Sequence, residues 1–282
     1  MDGRTPSIAR RGELACHCLL VETPAGLVLV DTGLGLLDVR YPRTRLSAFF
    51  LALLSPAFLE EMTAVRQVER LGYKARDVRH IVLTHLDFDH AGGLDDFPHA
   101  TVHLLGAEQT AASAQRTWLD RQRYRPQQWS TRANWRVYAA SGGDLWYGFA
   151  RVRALEGLDD DIAMIPLVGH TFGHAGIAVK RNGRWLLQAG DAYFFHEEMD
   201  IARPRCTPGL RFYQWMMQKD AEARLANQER LRELRRRHGA EVQVCCGHDP
   251  TEFERYSGRA MRVPADPRRA ISGHPGRLQL GT

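Results

Sequence analysis

The chain has 282 residues, of which 44% are hydrophobic and 25% charged, an ordinary balance for a soluble globular protein large enough to bury a substantial core. That excludes wholesale disorder, and the longest apolar run, Ala48 to Leu54, is only seven residues where a membrane span needs about 20. The net charge of +5 comes almost wholly from arginine and is scattered apart from Arg235-Arg236-Arg237 and the tail, so it gives no nucleic-acid-binding face.

Residues 14–33 read as a hairpin. Leu14 to Thr23 is one strand, Pro24-Ala25-Gly26 the turn, and Leu27 to Val30 a buried return strand ending at Asp31-Thr32-Gly33. Residues 34–56 read as an insertion with an apolar centre at Phe49-Phe50-Leu51. A helix fits 57–71: Ser55 and Pro56 mark its start, Phe58, Met62 and Val65 share a face, and Gly72 follows its end. Val78 to Thr84 is a β-rich run that leads into a histidine cluster.

Residues 107–150 hold four of the six tryptophans and read as a second insertion, mainly helical with irregular ends. Ile177 to Lys180 and Trp185 to Leu187 flank Asn182-Gly183, a strong hairpin signal. An Arg/Glu-rich helix spans 218–238 and stops at Gly239, and Val242 to Cys246 is the last strand. Residues 1–256 are expected to form a single domain, followed by a basic, Pro- and Gly-rich tail at 257–282 without fixed order. The start, Met1-Asp2-Gly3-Arg4, has no apolar stretch behind it, so no secretory signal and a cytoplasmic location are expected. The five cysteines are an odd number and suggest no disulfide framework. Cys16 and Cys18 read as core or surface thiols rather than as a metal pair.

The chemistry concentrates in Thr84-His85-Leu86-Asp87-Phe88-Asp89-His90-Ala91-Gly92-Gly93. Four metal-ligand types in six residues at a strand end are costly to bury unless a cation compensates them. Positions 85, 87 and 89 project together while His90 turns away, a pattern suited to two adjacent metals. Gly169-His170-Thr171-Phe172-Gly173-His174, Gln188-Ala189-Gly190-Asp191 and Gly247-His248-Asp249 each place a further ligand type beside an apolar run.

Those motifs, in that order over residues 12–250, resemble the metallo-β-lactamase superfamily, and within it the N-acyl-homoserine lactonase-like branch. The resemblance implies an α/β fold, an αββα four-layer sandwich with a dinuclear metal site at one edge. It implies that one metal takes His85, Asp87 and His170, that the other takes Asp89, His90 and His248, and that Asp191 bridges them. Asp31 would support the ligands from behind, and His174 would have a packing or supporting role. Where the common loop is His-x-His-x-Asp-His, this chain has Asp87 at the second histidine, a position where flavodiiron-type relatives carry glutamate. Direct ligation by Asp87 is the expectation, with zinc the first choice of metal and iron or manganese admitted by the extra oxygen ligand.

The implied reaction is attack of a metal-bridging hydroxide on a lactone or related carboxylic ester, with Asp89 as proton carrier and Tyr193 as a donor to the carbonyl or leaving oxygen. A buried aromatic beside Phe194-Phe195 is the equal alternative for Tyr193. A small-molecule substrate, with quorum-signal lactones in view, fits the two insertions if they wall a pocket. Core packing or a homodimer contact is their other use. A glyoxalase II-like thioesterase, a phosphodiesterase and a non-catalytic metal-binding relative are the alternatives.

Overall fold

The computed structural model describes Arg4 and residues 12–129, 134–139 and 142–261. Most of the expected tail, 262–282, lies outside the described residues, while 250–257 are helical. A five-stranded sheet runs in the order β1 (Leu19–Thr23), β2 (Gly26–Val30), β3 (Val78–Val82), β4 (Thr101–Leu105), β5 (Trp135–Tyr138). Its β1–β2 pair is antiparallel and the remaining pairs are parallel. A six-stranded sheet contains β6 (Asp144–Trp146), β7 (Phe149–Ala154), β8 (Ile162–Pro166), β9 (Ala175–Arg181), β10 (Arg184–Gln188) and β11 (Val242–Cys245) in sequence order, antiparallel until β11 joins β10 in parallel.

Period-two alternation divides the core into layers. Val28, Val30 and Val82 of the first sheet meet Ile162, Met164, Ile177 and Val179 of the second, forming the core between the sheets. Their sequence neighbours Leu27, Leu29, Ile81 and Leu83 face outward and are covered by Val65 and Val68 of one helix and Ala112 of another. On the far side Ala163, Ile165, Leu187 and Val244 are covered by Leu231 and Leu234. This is the αββα sandwich expected from the sequence.

The helices are α1 (Leu36–Arg40), α2 (Pro42–Arg45), α3 (Ala48–Leu54), α4 (Ala64–Arg70), α5 (Phe88–Ala91), α6 (Gly106–Ala114), α7 (Trp118–Arg123), α8 (Pro208–Met217), α9 (Ala221–His238) and α10 (Pro250–Ser257). Several differ from the sequence expectation. The 57–71 helix is shorter, because Thr63 is extended and its hydroxyl donates to Glu60 O at 2.7 Å, so only α4 is α-helical. Met62 is consequently exposed while Val65 is buried. The first strand also shortens: before Leu19, Ala15 N and His17 N donate instead to His248 O and Gly247 O, tying this segment to the site edge. In 107–150 the second half is β-structure, since Trp135 and Val137 extend the parallel sheet beside β4. Trp129 packs into the outer core of the first sheet and Trp146 into that of the second, so these aromatics serve packing. Among the described residues, no helix is long and apolar enough to cross a membrane.

Candidate metal centre

β2, β3, β8, β10 and β11 deliver their C-terminal ends to one edge, where the loops carrying the expected ligands meet. Asp31 follows β2 in a left-handed conformation (φ 55°), which turns its carboxylate toward the loop after β3. Its Oδ1 accepts from Thr84 N at 2.8 Å, and its Oδ2 accepts from Thr84 Oγ1 and His90 Nδ1, both at 2.9 Å. Thr84 Oγ1 in turn accepts from His85 Nδ1 at 2.9 Å. His248 Nδ1 donates to Ala15 O at 2.6 Å. In the neutral form of all three histidines the Nδ1 proton is committed, so the inward-facing Nε2 is the nitrogen that carries the lone pair.

Asp191 stands between two pairs of those nitrogens. Its Oδ1 lies 3.2 Å from His90 Nε2 and 3.1 Å from His248 Nε2. Its Oδ2 lies 3.3 Å from His170 Nε2 and 3.8 Å from His85 Nε2. Asp89 Oδ2 is 3.7 Å from His248 Nε2. All seven residues expected at the site are thus brought to this edge, with Asp87 Oδ2 3.1 Å from His170 Nε2 and 3.4 Å from His85 Nε2.

The donor set suits a divalent cation. His85 Nε2 and Asp191 Oδ1 are buried without a hydrogen-bond partner. His90 Nε2 and His248 Nε2 face each other at 3.2 Å, and two lone pairs at that distance need a proton or a metal between them. Burial would lower both rings, but Asp191 and other neighbouring carboxylates outweigh it. His90 is held well above its ordinary value and His248 is pushed up to about 9. Burial would raise the Asp191 carboxyl, yet the surrounding imidazoles, His248 foremost, hold it well below the carboxylate range.

His174 has the supporting role expected. Its Nδ1 donates to Leu167 O and its Nε2 accepts from Asp191 N, each at 2.9 Å, which fixes the backbone of the central carboxylate. Gly190 (φ 54°) sits against that ring, where a side chain would collide with it.

Tyr193 is a correction. Its hydroxyl donates to the Glu252 carboxylate at 2.9 and 3.0 Å, in the core between β11 and α10 rather than toward the ligands. A turn closed by Ala192 N→Ala189 O (3.1 Å) breaks the strand alternation after Ala189, so i+2 spacing from Asp191 does not place a side chain beside it. Phe194 reaches the site instead, stacked on His248 with ring centres 5.2 Å apart. Tyr193→Phe is therefore expected to leave turnover within about threefold and to cost about 1–3 kcal/mol of stability by stripping a donor from buried Glu252. Steady-state kinetics alongside denaturant unfolding checks both.

Four residues have roles that sequence reasoning did not assign. Glu108, buried in the first turn of α6, accepts from Leu86 N at 3.0 Å and Gly173 N at 3.1 Å, clamping the His85–His90 loop to the His170–His174 loop. Tyr213 of α8 is buried where Asp89, Asp191 and Asp87 add to burial in keeping its phenol protonated. The Thr207-Pro208 pair that starts α8, a threonine cap accepting from Leu210 N, was the available signal. Cys16 shares a group with Asp89 and His248 in which one ligand atom of each lies within 4.8 Å of the others. The fourth is Arg123, whose guanidinium contacts Asp87 and His170.

The apolar insertion packs beside these residues. Phe50 of α3 lies 4.8 Å from Phe88 of the metal loop, and both join Phe194, Leu210 and Tyr213 in one buried cluster. The sequence family model for the metallo-beta-lactamase superfamily matches residues 11–248. A probable metallo-hydrolase of Mycobacterium tuberculosis is 42% identical over 241 residues, 86% of this chain and 76% of that protein. An N-acyl homoserine lactonase of Bacillus cereus is 35% identical over 106 residues, 38% of this chain and 42% of that protein. In fold, the chain is similar to B. thuringiensis AiiA with N-decanoyl-L-homoserine bound at its active site: TM-score 0.64, 23% identity, 88% of this chain and 86% of that one. A family match across most of its length places this chain in the metallo-beta-lactamase superfamily, among its metallo-hydrolases.

Proposed function

We propose that this metallo-hydrolase opens a lactone or cleaves a related carboxylic ester of a small molecule, using a metal centre built on Asp191. The observation that carries the reading is the placement of Asp191, with Oδ1 toward His90 and His248 and Oδ2 toward His170 and His85. His90, His248, Asp191 and Asp89 would hold a divalent cation, zinc by preference for two imidazoles with carboxylates, with manganese or iron also suited. Such a cation supplies Lewis-acid polarisation of a carbonyl and an acidified water. The expectation of a second cation turns on Arg123.

The chain's own residues divide the remaining work. Asp89, whose Oδ2 lies 3.7 Å from His248 Nε2, would take a proton from the attacking water and return it to the leaving oxygen. Tyr213, held protonated, would donate to the acyl or leaving oxygen. Phe194, Phe88 and Phe50 would exclude water and favour an apolar acyl group. Every N–H of the Arg123 guanidinium is committed within the protein, so it offers no donor to a phosphate, which favours a carbonyl substrate over a phosphodiester. The partial match to lactonases supports the lactone, including quorum-signal lactones, as the first substrate to test.

The test is a panel of acyl-homoserine and simple lactones, aryl esters, thioesters and phosphodiesters assayed with the zinc- and manganese-loaded protein. Preferential lactone or ester turnover supports the reading. Turnover confined to thioesters or phosphodiesters overturns it.

Cation uptake should also release protons. A cation needs His248 Nε2 bare, and that ring is pushed up to about 9. Below that pH the proton competes, so affinity falls as pH falls, by about tenfold per unit for each proton displaced. Calorimetry in buffers of different ionisation enthalpy, between pH 6 and 9, checks the direction and the proton count.

A further inference from the structure

Arg123 is fully buried at the end of α7, and all of its donors are used. Nε donates to Asp87 Oδ1 at 2.6 Å, and Nη2 donates to Asp87 Oδ2 at 2.5 Å and to His170 Nε2 at 2.7 Å. Nη1 donates to Met217 O at 2.6 Å and His170 O at 3.4 Å. The placement is built into the backbone as well, because Tyr124 forms an antiparallel bridge with Asp87.

These contacts matter because of what they consume. His85, Asp87, His170 and Asp191 form one of the clusters able to hold a cation. A cation there needs the His170 Nε2 lone pair and an Asp87 oxygen, and the guanidinium already holds both. Guanidinium is planar, permanently charged and bidentate toward a carboxylate, so it satisfies Asp87 and His170 without a metal and leaves His85 Nε2, which has no hydrogen-bond partner, as the one uncommitted imidazole of that cluster. The other cluster, His90, Asp191 and His248, shows the opposite condition: its two imidazole nitrogens face each other at 3.2 Å, next to an Asp191 Oδ1 that has no hydrogen-bond partner.

We propose that Arg123 replaces one of the two cations of this centre, so that the chain holds a single divalent ion at His90, Asp191, His248 and Asp89. The inference rests on the metal-dependent reading above. Arg123 is a positioning residue in it: it fixes Asp87 and His170 and supplies a permanent positive charge against His170 Nε2, which itself lies 3.3 Å from Asp191 Oδ2. The aspartate at position 87, where the common loop has histidine, has the same explanation, since a neutral imidazole would leave the buried guanidinium without its counter-ion.

Metal content per chain is the direct readout. The full-length protein is stripped with chelator, reloaded with excess zinc or manganese, desalted and analysed by elemental mass spectrometry. One ion per chain is expected for the wild type and two for Arg123→Met, which frees Asp87 and His170. Metal-free Arg123→Met should melt about 10 °C below wild type, because Asp87 is then buried without its counter-ion, and cation should restore much of that loss. Asp87→Asn is the second variant, for the case in which Arg123→Met does not fold. It should retain one ion per chain, whereas loss of that ion means Asp87 is a ligand and overturns the proposal. Two ions in the wild type, or one in folded Arg123→Met, also overturns it and leaves the metal-dependent reading standing. No ion in the wild type removes both.

Discussion

Asp191→Ala is expected to bring metal content close to zero and to lower turnover by more than the roughly 10–100-fold typical of losing an outer partner of a ligand. The carboxylate is buried and is the shared anion of four imidazoles, with His90 and His248 on one oxygen and His170 and His85 on the other. Without it, His90 and His248 still face each other at 3.2 Å but have lost the anion nearest to both. The fold should survive, because the contact that seats this residue runs from its backbone N–H to His174 Nε2 and does not involve the side chain. Asp191→Asn keeps the shape without the charge and should show a comparable loss. Metal analysis, kinetics and circular dichroism on the same samples separate loss of the centre from loss of the fold.

A large effect on stability is also expected away from the candidate ligands. Arg45 of α2 donates to Asp38 Oδ1 at 2.9 Å, to Asp95 Oδ2 at 2.8 Å and to Gln127 O at 2.5 Å, joining the 34–56 insertion to the first sheet's outer layer. Asp38 is completely buried and also accepts from Gly35 N and Gln128 Nε2. Arg45→Met keeps the volume but leaves that carboxylate without its counter-ion, so about 3–5 kcal/mol should be lost at neutral pH, a fall in melting temperature of about 10 °C. The pH dependence has a definite sign. Burial already raises Asp38, partly offset by Gly35, Gln128 and Arg45, and removing Arg45 raises it further. A carboxyl raised in the folded state carries no penalty below its unfolded value of about 3.9, and the penalty grows as pH rises from there to the folded value. The deficit of the variant should therefore shrink toward pH 4, as thermal melts of both proteins across pH 4–8 would show.

Much of the candidate metal centre is local in sequence. His85, Asp87, Asp89 and His90 lie in one loop, and Asp31, His170, Asp191 and His248 each adjoin an apolar strand that can be read from its own residues. Strand ends converge on one edge in a layered α/β fold, so motif order alone assembles the cluster. Arg123 was not legible, because it is one arginine among many and its carboxylate partner lies 36 positions earlier. Glu108 was hidden for the same reason: nothing local distinguishes a buried clamp from a solvated acid in the first turn of a helix. Tyr193 was misplaced because the resemblance offered a tyrosine shortly after the strand-end aspartate, whereas here a turn at Ala189–Ala192 sends that side chain to Glu252. In 107–150 the aromatic content read as helix, whereas the edge of the parallel sheet beyond β4 recruited Trp135 to Tyr138 as a strand. Tertiary pairing overrode local preference there, as is common for β-structure.

The aromatic residues make the same point about function. Trp129 and Trp146 stabilise the two outer layers, and Trp118 alone of the four stands against the apolar insertion, 5.1 Å from Phe49. The aromatic cluster beside His170 is built instead from three separate segments, with Phe194 against His170 and Tyr213 against Phe194, and Phe88 buried in the same cluster. Such a cluster forms only when α5, the loop after β10 and α8 are brought together by the fold.

If the proposed function holds, lactone or ester hydrolysis depends on a cation at Asp191. The most direct measurement is lactone ring opening, followed by proton release at constant pH, on protein stripped with chelator and then titrated with zinc or manganese. No turnover above background is expected in the stripped protein, with recovery that saturates with bound metal. Turnover that is unaffected by stripping, or absent at full metal occupancy across the lactone and ester panel, would contradict it.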